Sequence, residues 1–128
     1  MGIAFLVFFL LIQPQVLGEE KVVLAVASEG ETMEAEVSQT AARCSYFLMF
    51  DGDGNLKNAV ENPYQDTRGG AGVSVADFLA ERNVTVFVAG GIGDKMKNAL
   101  EAHGLTFVEF SGRVEEAVRF VLEMSAGT

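Results

Sequence analysis

The chain has 128 residues, 49% of them hydrophobic, which is enough for one domain with a real core and too apolar for a disordered one. A formal net charge of −9 excludes a nucleic-acid backbone as partner, because that binding draws on clustered Lys and Arg; the acidity serves solubility instead. With Cys44 as the single cysteine, an internal disulfide and an all-cysteine metal cage are excluded too, so stability has to come from packing.

Ile3 to Ile12 is almost purely apolar, but it is shorter than the ~20 residues of a membrane span and is broken at once by Gln13, Pro14 and Gln15. No stable membrane span is expected. Val16 and Gly18 offer a cleavage site before Glu19, so residues 1–18 are predicted to be a signal peptide and residues 19–128 the single domain. The expected location is then exported or periplasmic. Because no Lys or Arg precedes the apolar core, an uncleaved anchor or a misplaced start, the latter leaving a cytoplasmic protein, stand as alternatives.

Lys21 to Ala27 (KVVLAVA) is a near-continuous apolar run and is predicted to be a central strand. Ser28 to Arg43, rich in Glu, Ser and Thr, is predicted to be a long exposed connection. Tyr46 to Phe50 forms the second strand and ends in Asp51-Gly52-Asp53-Gly54, a hairpin signal. A calcium loop is the tempting alternative there. It fails because Leu56 occupies the position of the invariant glycine and Asn62 that of the bidentate glutamate. Asn55 to Glu61 is charged and imperfectly alternating, as an edge strand should be. A loop from Asn62 to Gly72 leads into a helix marked by Val75, Phe78, Leu79 and Arg82.

Val84 to Ala89 is an uninterrupted β-branched and aromatic run, the pattern of a strand buried on both faces of a parallel sheet. Gly90, Gly91 and Gly93 permit a tight turn, and Met96, Ala99, Leu100 and His103 then fall on one helix face before a glycine stop at Gly104. A strand feeding a helix through glycines exposes backbone N–H groups that attract anions. The turn matches neither the dinucleotide fingerprint, which needs glycine where Met96 stands, nor the P-loop, which needs Ser or Thr after its Gly-Lys. Leu105 to Phe110 is the fifth strand. The last helix carries Val114, Ala117, Val118, Val121 and Leu122 on one face, with Ser111 or Gly112 before it.

Short connections and right-handed crossovers turn this order into an α/β fold with a five-stranded mixed sheet of order 3-2-1-4-5, in which only the second strand is antiparallel to the rest. The switch point falls between strands one and four, and ligands of open sheets bind there, outside the carboxyl ends of the strands. At that edge the topology gathers Arg43, Arg68, Lys95 and Arg113 around the backbone glycines Gly69, Gly70, Gly72, Gly91 and Gly93, with Ile92 between the last two. An anionic ligand is the natural expectation. Lys95 supports it, since a cation at a helix start is unfavourable by roughly 0.3–1 kcal/mol without an anion nearby.

Read in order, the opening KVVLAVAS, the segment SQTAARCSYFLMFD, the GGAG loop, the GGIGDKMKNALEAHG unit and the closing SGRVEEAV resemble the NifX/NifB-type family of dinitrogenase iron-molybdenum cofactor proteins, over Lys21 to Glu123. The resemblance implies a three-layer α/β/α domain with the RNase H-like motif. It also implies a binding or carrier role for an iron-molybdenum or related metal-sulfur cluster rather than an enzyme. One departure stands out. Where the family reads Ser-x-His-Phe-Gly-Arg, this chain has Ser38-Gln39-Thr40-Ala41-Ala42-Arg43, so Thr40 replaces the histidine that would be the cluster ligand.

That departure leaves Cys44 as the candidate metal ligand, because a thiolate suits iron, copper or molybdenum-sulfur species. A buried small hydrophobe is the alternative reading of the same residue. Met33 could add a thioether but is an isolated Met in a polar loop, and His103 reads as a helix-end residue on the opposite edge. The function so predicted is non-catalytic carriage of an anionic metal-sulfur cofactor, in exchange with a cofactor-donor or acceptor protein. A metal-free small-anion or nucleotide-binding module, or an accessory protein-interaction domain, are the competing expectations. The ligand edge carries no histidine and no base–nucleophile pair, which argues against an enzyme.

Overall fold

Five residues without a charge among them make the centre of the sheet. β1 (Leu24–Ser28) is buried along its whole length, and a strand with no solvent-facing side sits only between two neighbours and two layers. Its neighbours are β2 (Tyr46–Phe50), antiparallel, and β4 (Val86–Ala89), parallel. β3 (Leu56–Glu61) closes one edge beside β2, and β5 (Thr106–Glu109) closes the other beside β4. The order β3-β2-β1-β4-β5 is the one predicted, in a computed structural model that describes residues 21–126. The expected signal peptide, residues 1–18, lies outside the described residues. Among those residues no helix is long and apolar enough to cross a membrane.

Alternation along the strands sorts the core into two halves. Leu24, Val26, Leu48, Phe50 and Val88 face α3 (Val114–Ala126), whose Val114, Ala117, Val118 and Val121 form one buried stripe. On the other side, Ala25, Ala27, Phe47, Phe87 and Ala89 face α1 (Ala71–Glu81) and α2 (Asp94–Ala102), which answer with Val75, Phe78, Leu79, Met96 and Leu100. Small side chains at the sheet centre let that helix pair settle close. Phe47 fills the remaining volume, its ring centroid 5.8 Å from Phe78 and 6.1 Å from Phe87.

Two expectations need correction. The strands are shorter than the apolar runs: the Val23 N–H donates to the Thr85 hydroxyl at 3.0 Å, so the ladder begins at Leu24 and Val86. Leu105 likewise stays out of β5, because its N–H closes α2 on the Leu100 carbonyl. The stretch from Ser28 to Arg43 is also not simply an exposed connection. Val37, Ser38 and Ala41 are buried, and the Ser38 N–H donates to the Ala27 carbonyl at 2.8 Å while its carbonyl accepts the Gly90 N–H at 2.7 Å. The segment therefore lies as a rung across the ends of β1 and β4.

Candidate functional site

β1, β4 and β5 end at one edge of the sheet, and all three helices begin there. A helix start presents N–H groups without intrahelical acceptors at the positive end of the dipole. At α3 these donors are spent inside the chain. Val114 N–H donates to the Ala35 carbonyl at 2.9 Å, Glu115 N–H to the Met33 carbonyl at 3.0 Å, and Arg113 N–H to Glu116 Oε1 at 2.8 Å. At α1 and α2 they are open. The N-caps are Gly70 and Gly93, and neither helix has a side-chain cap.

These two open starts share one cleft of about 540 Å³, lined by Ala71 and Gly72 on one side and Gly93 to Met96 on the other. Its third wall is the segment Gln39 to Arg43. That wall is pinned to the turn after β4: Ala41 N–H donates to the Gly91 carbonyl at 3.1 Å, and a Cβ on Gly91 would stand 2.9 Å from the Gln39 carbonyl oxygen. Arg43 donates from Nη1 to the Gln65 carbonyl at 2.9 Å, which ties the wall to the loop before α1. Lys95 is exposed at the start of α2. The cleft thus combines two helix starts with two cationic side chains, Arg43 and Lys95, against the one carboxylate of Asp94. A larger cleft of about 660 Å³ lies at the opposite edge, but Lys21, Lys57 and Arg82 share its lining with Asp51, Asp53 and Glu81, and no helix start opens onto it.

The sequence model of the dinitrogenase iron-molybdenum cofactor family matches residues 20–124. The chain belongs to that family. It is similar in structure to the apo form of the orange protein from Desulfovibrio gigas, at 28% identity and a TM-score of 0.76, with 82% of this chain and 90% of that one covered. A Thermotoga protein of the DUF35 family, classed with NifB, is 31% identical over 80% of this chain and 88% of its own, with a TM-score of 0.68. A dinitrogenase-type protein from Methanocaldococcus jannaschii shares the fold, with a TM-score of 0.60 at 15% identity over 82% of this chain and 91% of its own. No curated protein matches the sequence. Membership gives the chain a cofactor-binding or carrier role in outline.

Of the residues expected to hold a cofactor, Arg43, Gly72, Gly91, Gly93 and Lys95 line the cleft, and Gly70 is the cap immediately before it. Arg68 and Gly69 are exposed on the preceding loop and do not line it. Arg113 stands beside the closed start of α3, 3.5 Å from Glu115. Ile92 is buried, and its N–H is already bound to Glu109 Oε2 at 2.9 Å. Thr40, at the position of the family histidine, does line the cleft, with its hydroxyl 3.3 Å from Ser38 Oγ.

Cys44 is placed differently from the expectation. It is 1% exposed inside the core under α1 and α2, and its thiol donates to the Tyr46 carbonyl at 3.3 Å. Burial pushes the thiol up to about 12, so at neutral pH it is a protonated packing group rather than a thiolate. Asn62 closes the site behind it, donating to the Ala42 and Cys44 carbonyls at 2.9 Å each. Among the described residues no three His, Cys, Asp or Glu side chains come together to hold a metal ion.

Sequence reasoning overlooked Gln39, Ala41, Ala42 and Met96 as lining residues, and Glu109 as the partner of the turn. The signal for the first three was the Ser38 to Arg43 segment itself. Its match to the family motif marked a functional stretch inside what composition alone reads as a connection.

Proposed function

We propose that this protein binds and carries an iron-molybdenum or related anionic metal-sulfur cofactor in the cleft between the starts of α1 and α2. The observation that carries this reading is that two of the three helix starts at the ligand edge lack side-chain caps and converge on one cleft, while the third is closed by the chain itself. The N–H groups of Ala71, Gly72 and Val73, and of Asp94, Lys95 and Met96, precede the first helical hydrogen bonds and are available to sulfide or oxide ligands of an anion. Arg43 and Lys95 offset its charge. The residues present fit such a group as hydrogen-bond donors and cations, and no exposed thiol or imidazole lines the cleft.

The cofactor is therefore held by hydrogen bonds and charge, with Cys44 outside the contact set. Binding of this kind suits carriage, in which cargo is taken from a donor protein and passed to an acceptor, better than catalysis. The same donors would also accept a metal-free oxyanion, and the lack of a thiol or imidazole among the lining residues favours that as the second reading. Titration of the full chain, under anaerobic conditions, with tetrathiomolybdate and separately with phosphate distinguishes the two. Saturable visible absorbance changes with the thiometalate, not displaced by excess phosphate, support the carrier; tight phosphate binding without thiometalate uptake supports the second reading.

A further inference from the structure

We propose that Glu109 is the positioning residue of the cleft, holding the glycine turn from outside so that the amides at the start of α2 face the bound anion. This rests on the reading of the cleft as an anion site. Glu109 is the last residue of β5 and pairs in register with Ala89, the last residue of β4. A carboxylate at the end of an edge strand ordinarily points to water. Glu109 stays exposed, yet its Oε2 accepts the N–H of Ile92, the residue before the α2 N-cap, at 2.9 Å, and lies 3.6 Å from Lys97 Nζ, one turn into the same helix. Hydrogen bonds to an ionised acceptor are the stronger class, so at this part-buried site the Glu109 carboxylate holds the Ile92 amide more firmly than the water that would replace it.

Three bonds fix the turn: Gly90 N–H to the Ser38 carbonyl, Ala41 N–H to the Gly91 carbonyl, and Ile92 N–H to Glu109. The first two come from the segment that forms the cleft's own wall and move with it. Among the described residues, Glu109 is the side chain that bonds the turn from outside the Ser38–Arg43 segment. Its side chain also decides which donors a ligand meets, because the Ile92 amide is occupied and, on the α2 side, the anion meets the amides of Asp94, Lys95 and Met96 instead. Pre-organisation of this kind sets affinity without contact to the ligand.

The test uses the full chain as wild type, Glu109→Ala and Glu109→Gln, with tetrathiomolybdate as probe. Glutamine keeps an acceptor for Ile92, whereas alanine leaves none. Glu109→Ala should weaken uptake by about tenfold or more, the scale of losing a group that orients a ligand's direct contacts, and Glu109→Gln should restore it to within a few-fold. In ligand-free protein, hydrogen exchange at the Ala41 and Lys97 amides, which bond the Gly91 and Gly93 carbonyls, should quicken in the alanine variant and recover in the glutamine variant, with β2 amides unchanged. Uptake by Glu109→Ala equal to wild type, or a glutamine variant as weak as alanine, overturns the proposal. Should wild type take up no thiometalate, the anion-site reading falls on its own, and the exchange rates still decide: unchanged protection in Glu109→Ala overturns the positioning role, and its selective loss sustains it.

Discussion

Gly72 lies against Met96 so closely that a Cβ on Gly72 would stand 2.9 Å from the Met96 Cβ and 3.5 Å from its Cα. This contact brings the starts of α1 and α2 together, and with them the two sets of open N–H groups. Met96 is buried and meets Gly72 through atoms near its backbone, so relief requires a shift of the helices rather than a rotamer change.

Gly72→Ala should therefore separate the helix starts. The expected cost is about 1–3 kcal/mol of stability, the range for overpacking a close contact, together with weaker anion uptake. Denaturant unfolding and thiometalate titration of the same preparation check it. Unchanged stability would mean that the pair is looser than its geometry.

Cys44 carries a prediction with a definite sign. Its thiol is held protonated by burial, with a folded value of about 12 against an ordinary 9.0, so the folded state binds this proton more tightly than the unfolded chain. The stability it contributes is complete below pH 9.0 and is withdrawn as the pH rises toward about 12. Comparing wild type with Cys44→Ala across that range should show wild type losing stability faster. At neutral pH, native Cys44 should resist alkylation that proceeds readily in denaturant, and Cys44→Ala should keep thiometalate uptake within about twofold while costing about 1–2 kcal/mol of folding stability. Loss of uptake without loss of stability would return Cys44 to the ligand set.

Much of this was legible in the sequence because the fold is written in long apolar runs. Lys21 to Ala27 and Val84 to Ala89 mark the two central strands, and their mutual position follows from short right-handed crossovers, so the sheet order could be derived before any coordinates. His103 could be placed away from the glycine turns for the same reason; it is the C-cap of α2 and lies 2.7 Å from Asp77 on α1. What the sequence did not disclose are distinctions made by three-dimensional packing. Arg113 and Lys95 both stand at helix starts, yet only coordinates reveal that Met33 and Ala35 fold over one start and leave the other open. Cys44 sits at the entrance to a strand in either reading, and its burial follows from packing in the core under α1 and α2, with Asn62, eighteen residues away in sequence, bonded to its carbonyl.

Asp51 supplies an acid-side prediction at the far edge. Its carboxyl is held below the ordinary 3.8 first by the Asn55 backbone N–H, and by the Asn55 side chain, the Asp53 N–H and Lys57 as well. A lowered carboxylate contributes stability above its unfolded value and loses it as the pH falls through the folded one. The Tm difference between wild type and Asp51→Asn should accordingly shrink as the pH falls below the ordinary 3.8. A constant difference would show that the hairpin does not depend on the ionised carboxyl. Anion uptake, at the other end of the sheet, should be unaffected.

Gly93 gives the most direct test of the cleft. It is the N-cap of α2, with φ −70 and ψ 158, an extended conformation open to any residue, and nothing stands within 4 Å of where its Cβ would be. Gly93→Val should thus keep the fold while placing a branched side chain beside the donors that line the cleft. The measurement is anaerobic titration of wild type and Gly93→Val with tetrathiomolybdate, followed by visible absorbance, with melting temperatures alongside. The account predicts saturable uptake by wild type, at least about tenfold weaker uptake by the variant, and melting temperatures within a few degrees of each other. Equal uptake by both proteins, or none by wild type, would contradict it.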